Sequence, residues 1–86
     1  MQREFDAQIR KVGNSFVVTI PSITIKRFKL KPCQFLTTTI ISKKTKEFDS
    51  QIRKVGNSHV TTIPSSIINR FNLHQGDFVT LNISNE

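Results

Sequence analysis

Glu4-Phe5-Asp6-Ala7-Gln8-Ile9-Arg10-Lys11-Val12-Gly13-Asn14-Ser15 returns as Glu47-Phe48-Asp49-Ser50-Gln51-Ile52-Arg53-Lys54-Val55-Gly56-Asn57-Ser58, 43 positions later. Laid over one another without a gap, residues 4–43 and 47–86 share roughly 23 identities in about 40 pairs. Agreement of that length and density is an internal duplication. A copy of about 40 residues is near the lower limit for burying a core of its own. The halves 1–43 and 44–86 are therefore expected to fold against each other as one domain, with Ser42-Lys43-Lys44-Thr45-Lys46 as a polar, basic linker at about 42–46. Two similar halves predict a pseudo-two-fold body, and duplex DNA is a ligand of matching symmetry.

Charge points the same way. The 86 residues carry 13 Lys and Arg against 6 Asp and Glu, a formal charge of +7, and the pI is about 10.2. Such a field draws polyanions, nucleic acid first and anionic membrane second. The first half carries eight cations and two carboxylates, the second five and four, so any binding face should be lopsided. Cys33 is the single cysteine, which excludes an internal disulfide and a thiolate zinc site; it is expected to be an ordinary half-buried side chain. With no apolar run long enough to span a membrane and no signal-peptide pattern, a cytoplasmic, nucleoid-associated protein is the expectation.

Each copy parses into the same short elements. Gln8–Val12 reads as a strand, Gly13-Asn14-Ser15 as a turn whose Gly and Asn tolerate positive φ, and the β-branched run Phe16–Ile20 as the returning strand of a hairpin. Pro21-Ser22 opens a short helix to about Lys29, with proline in its first turn and serine available as a cap. Ile25 and Phe28 then fall on its buried side. Phe35–Ile41 is a further strand. The second copy repeats this as Gln51–Val55, Gly56-Asn57-Ser58, His59–Ile63, Ser66–Asn72 and Phe78–Ile83. The predicted fold is mostly β with two short helices, a tandem β-β-α-β repeat.

Residues kept between the copies are expected in a shared core: Val17/Val60, Thr19/Thr62, Ile20/Ile63, Phe28/Phe71, Leu30/Leu73, Phe35/Phe78 and Ile40/Ile83. Phe16/His59 and Val18/Thr61 differ and alternate with that set, which predicts that they face outward. Before the last strand the second copy has His74-Gln75-Gly76-Asp77, with a glycine suited to a left-handed turn. The first has Lys31-Pro32-Cys33-Gln34, and a differently shaped turn is expected there.

Arg10-Lys11 and Arg53-Lys54 lie beside the Gly-Asn-Ser turns, so each copy offers two cations next to a polar loop. Arginine forks onto phosphate or a guanine edge, lysine acts as a point charge, Asn14 and Asn57 suit adenine, and Ser15 and Ser58 can donate to phosphate. Strand alternation predicts that one of each Arg/Lys pair faces the nucleic acid. Lys26, Arg27 and Arg70 on the helices can reach phosphates or lie on a solvated face, Lys43, Lys44 and Lys46 can add nonspecific contacts, and His59 can touch DNA. His59 and His74 have no carboxylate or cysteine at metal spacing, and no catalytic constellation is present. A non-enzyme without metal or cofactor is the expectation.

The ordered set Arg53-Lys54-Val55-Gly56-Asn57-Ser58, Thr62-Ile63-Pro64 and Leu73-His74-Gln75-Gly76-Asp77 resembles the SpoVT/AbrB superfamily, which includes AbrB-type transition-state regulators and the DNA-binding halves of MazE-type antitoxins. Arg10-Lys11-Val12-Gly13-Asn14-Ser15 and Thr19-Ile20-Pro21 fit the pattern equally, while Cys33-Gln34 departs from Gly-Asp. The resemblance implies a swapped-hairpin β-barrel, ordinarily made by two chains and here carried in tandem as a pseudo-dimer. It further implies a sequence-specific or semi-specific transcriptional regulator of double-stranded DNA, docked through strands and hairpin loops. A MazE-like antitoxin with a toxin partner is disfavoured by the three residues after Ile83. A DNA-compacting protein, a protein-binding β-module and self-association into a homodimer stay open.

Overall fold

A computed structural model of the chain describes residues 2–42 and 44–84. Seven strands and two six-residue helices follow as β1 (Gln2–Gln8), β2 (Arg10–Val12), β3 (Ser15–Ile20), α1 (Ser22–Arg27), β4 (Phe35–Ile41), β5 (Thr45–Val55), β6 (Ser58–Ile63), α2 (Ser65–Arg70) and β7 (Phe78–Ser84). The fold is mostly β, and its strands make one curled antiparallel sheet in the order β1-β7-β4-β5-β6-β3-β2. β5 holds the curl together, pairing with β4 over Thr45–Gln51 and with β6 over Ile52–Val55. β1 and β2, separated only by Ile9, bridge the sheet in the same way, β1 pairing with β7 and β2 with β3. At the crossing point the Ile9 N–H donates to the Asp77 carbonyl at 2.8 Å and Ile52 makes the same bond to Gln34, also at 2.8 Å.

Four of the six strand pairings run between the copies. The first strand of each copy lies against the last strand of the other, β1 on β7 and β5 on β4. β3 pairs with β6 and β4 with β7. In two places a residue faces its own counterpart, Val18 opposite Thr61 and Thr39 opposite Asn82, and both registers are symmetric about these pairs. The sheet order therefore leaves neither half with a complete set of hydrogen-bonded neighbours of its own.

Two apolar clusters fill the curl, one against each helix. Ala7, Ile9, Val18, Ile40, Ile63, Val79 and Leu81 meet Ile67 and Ile68 of α2, while Ile20, Leu36, Ile52 and Ile83 meet Ile25 of α1. Ile9, Ile20, Ile52, Ile63 and Ile83 are each at most 1% exposed, and full burial of such a side chain contributes about 1.5–3 kcal/mol. Val18 and Thr61, expected outside, are both 0% exposed. They can differ between copies because they stand opposite each other, so the pair, not each member, must fit. Thr19 and Thr62 lie half-buried instead of in the core. Phe35 and Phe78, kept in both copies, are 65% and 74% exposed, because β4 and β7 turn Leu36, Thr38 and Ile40, and Val79, Leu81 and Ile83, inward. Between β4 and β5, the Thr38 and Ser50 hydroxyls share a buried hydrogen bond of 2.7 Å; the equivalent positions are the apolar Leu81 and Ala7.

Local geometry corrects further expectations. Pro21 and Pro64, not serines, hold the N-cap positions, with φ −56° and no side-chain cap, and α2 begins at Ser65. Both helices end in a Schellman motif: Leu30 and Leu73 N–H reach back to the Ile25 and Ile68 carbonyls, with Lys29 (φ 52°) and Asn72 (φ 53°) left-handed between. The following turns have the same shape despite their different sequences. Cys33 takes φ 72° where Gly76 takes φ 95°, and their N–H groups donate to Ile52 and Ile9 at 2.7 and 2.8 Å. The two backbone bonds made by Ile52 dictate this turn, so cysteine adopts a conformation that glycine tolerates better. Cys33 is also exposed, not half-buried. Finally, Thr45 and Lys46 of the expected linker already belong to β5, and Ser42 N–H donates to the Lys44 carbonyl at 2.9 Å to close a tight hairpin. Lys43 lies outside the described residues.

Candidate nucleic-acid interface

The two basic hairpins are built alike. Val12 pairs with Ser15 and Val55 with Ser58, leaving two-residue turns at Gly13-Asn14 and Gly56-Asn57. Only the glycines take positive φ, 60° and 61°, the glycine-first primed turn that matches strand twist. Asn14 and Asn57 are exposed at the tips and Ser15 and Ser58 half-buried at their bases.

Register then separates arginine from lysine. Residues directly opposite in an antiparallel pair share a face. Arg10 stands opposite Val17, which stands opposite Thr62; Arg53 stands opposite Val60, which stands opposite Thr19. These lie on the side of β2-β3-β6-β5 opposite the one that meets the helices, and Val17 and Val60 are nonetheless buried there, 5% and 4% exposed, as their retention in both copies predicts. Lys11 is opposite Phe16 and Lys54 opposite His59, on the other face, at its open end. Lys11 Nζ lies 5.8 Å from the Phe16 ring centroid, at the outer limit of a cation–π contact. Phe16 and His59 are half-buried, not outward, and Phe16 packs beside the core. All four cations are exposed. That side thus carries an exposed arginine at each flank, buried valine and half-buried threonine between, and an exposed Gly-Asn tip on each hairpin.

The carboxylates gather on a different stretch of the strands. On β1, β7, β4 and the Thr45–Gln51 stretch of β5 the outward alternation presents Glu4, Asp6, Glu47 and Asp49, four of the chain's six carboxylates, and no lysine or arginine, while Arg53 follows on the same side of β5. Thr80 Oγ1 donates to Asp6 Oδ1 at 2.7 Å, and Thr37 makes a longer bond of 3.5 Å to Asp49 Oδ1. Carboxylates thus cluster along β1 and the Thr45–Gln51 part of β5, and arginines beside the hairpin tips, an uneven distribution of the kind that orients a polyanion as well as attracting it.

Lys26 and Arg27 end α1, and Arg70 ends α2. Arg70 opens onto a cleft of about 420 Å³ also lined by Lys44, Asn72, Asp77 and Phe78. Among the described residues no helix is long and apolar enough to cross a membrane.

The sequence matches no protein-family model and no curated protein. The fold is similar to the solution structure of PHS018 from Pyrococcus horikoshii, with a TM-score of 0.70 over 95% of this chain and 88% of that one, at 16% identity. At that identity the likeness concerns architecture alone.

Proposed function

We propose that this chain binds double-stranded DNA as a transcriptional regulator of AbrB type, one polypeptide supplying both halves of a swapped-hairpin barrel. The reading is carried by the symmetric placement of Arg10 and Arg53 on one outer face, with Gly13-Asn14 and Gly56-Asn57 at its hairpin tips, about the Val18–Thr61 pair. Two guanidiniums related by a pseudo-two-fold meet two related positions on a duplex. Arginine offers forked donors to phosphate or guanine, and asparagine the donor and acceptor for adenine.

The test is fluorescence anisotropy with a labelled duplex selected from a random pool, competed by selected and by random DNA. If about four to eight phosphates are neutralised, log K falls with log salt at a slope of roughly −4 to −7. Selected duplex should compete better than random duplex. Equal competition means compaction without sequence preference, and no binding in dilute buffer rejects the proposal.

A further inference from the structure

The first copy carries Lys26, Arg27, Lys29 and Lys31 within six residues, all exposed, where the second has Asn69, Arg70, Asn72 and His74. By chain order this cluster belongs with Arg10 and Lys11. Strand exchange puts it elsewhere. Ile20, two residues before α1, pairs with His59 beside the second hairpin's tip. After the helix the chain returns to the same hairpin, where Cys33 N–H donates to the Ile52 carbonyl and Ile52 N–H to that of Gln34. α1 and its following turn are therefore anchored at both ends to the β5–β6 hairpin that carries Arg53 and Lys54.

The two flanks of the outer face are consequently unequal. Beside Arg53 and Lys54 the α1 segment adds four cations and no carboxylate. Beside Arg10 and Lys11 the α2 segment adds Arg70, in a cleft shared with Lys44 and with the carboxylate of Asp77, which takes the place of Gln34. Lysine and arginine in the last turn of α1 also favour its C-terminal dipole, but Lys29 and Lys31 lie beyond the helix and gain nothing from it. Lys29 even occupies a left-handed backbone position, φ 52°, where its counterpart is the more tolerant Asn72.

We propose that Lys26, Arg27, Lys29 and Lys31 form a one-sided phosphate clamp, extending the DNA contact beyond the Arg53 flank with no equal at the Arg10 flank. The proposal rests on the DNA-binding reading above. Phosphate contacts add affinity without reading sequence, so the clamp should steepen salt dependence and leave base preference alone.

The test compares the full chain with Lys26→Gln/Arg27→Gln/Lys29→Gln/Lys31→Gln, with the charge-keeping Lys26→Arg/Lys29→Arg/Lys31→Arg, and with Arg70→Gln, on one duplex across a salt series. Circular dichroism verifies each fold. The glutamine variant should flatten the log–log salt slope by about 2 to 4, at roughly 0.9 per phosphate contact. Arg70→Gln should flatten it by less than about 1, and the arginine variant should keep the original slope. An unchanged slope in the glutamine variant, with wild-type binding intact, overturns the clamp but leaves the DNA-binding reading standing. Equal flattening by Arg70→Gln overturns its one-sidedness. A wild-type chain that binds no DNA removes both.

Discussion

Replacing Arg10 and Arg53 together by alanine should cost far more DNA affinity than replacing Lys11 and Lys54, although the two double variants remove the same charge from neighbouring positions. Register is the reason: the arginines share the outer face with Val17 and Val60, and the lysines stand opposite Phe16 and His59 on the other. A well-formed forked arginine contact is worth about 1–3 kcal/mol. Losing two at the low end costs about 2 kcal/mol, roughly thirtyfold in Kd. If both engage phosphate, the salt slope flattens by about 1.8. The lysine variant loses only a share of the screened field, so its affinity should lie at least about tenfold above that of the arginine variant. Anisotropy titrations on a single duplex near 0.1 M salt measure the difference. All four side chains are exposed, and surface substitutions of this kind shift stability by about 0.5 kcal/mol or less. A lysine variant that binds as weakly as the arginine variant refutes the assignment of the outer face.

Three further outcomes concern the scaffold. Ser50→Ala should destabilise by about 1–2 kcal/mol by orphaning the Thr38 hydroxyl, while Thr38→Val with Ser50→Ala should return to within about 0.5 kcal/mol of wild type; strictly additive losses in urea unfolding would contradict this. Cys33→Gly should relieve the left-handed position at φ 72°, where strain of about 1–2 kcal/mol outweighs the added chain entropy of glycine. A lower melting temperature than wild type argues against that account. Thr61→Val should stabilise by about 1 kcal/mol, since Thr61 Oγ1 is buried without a hydrogen-bond partner opposite Val18, with DNA affinity unchanged; a loss of stability in thermal melts counts against it.

Much of this fold is legible in the residues. The β-branched run of β4 over Phe35–Ile41 is a strand, as its composition predicts, and the Gly-Asn hairpins turn where glycine permits. The strand over Gln2–Gln8 escapes notice because its outward positions are all polar and only Phe5, Ala7 and Ile9 mark the buried side. Identity between the copies misleads at Phe35 and Phe78, because a kept residue reports equivalence, not burial. It misleads in the opposite sense at Val18 and Thr61, which vary while buried. The basic hairpins and their asparagines are visible at once, but Lys29 and Lys31 look like solvated helix-end charge. Their neighbourhood depends on which hairpin the chain crosses to, and strand exchange between repeats leaves no local trace in composition or periodicity.

The pairing of β1 with β7 and of β4 with β5 within one chain also bears on dilution. Where separate polypeptides must meet to complete such a sheet, the fraction assembled falls as the cell holds fewer of them. Here a hairpin between β4 and β5 keeps the complementary strands at high effective concentration, so closure is a unimolecular event. A handful of molecules per cell would be as fully assembled as a thousand.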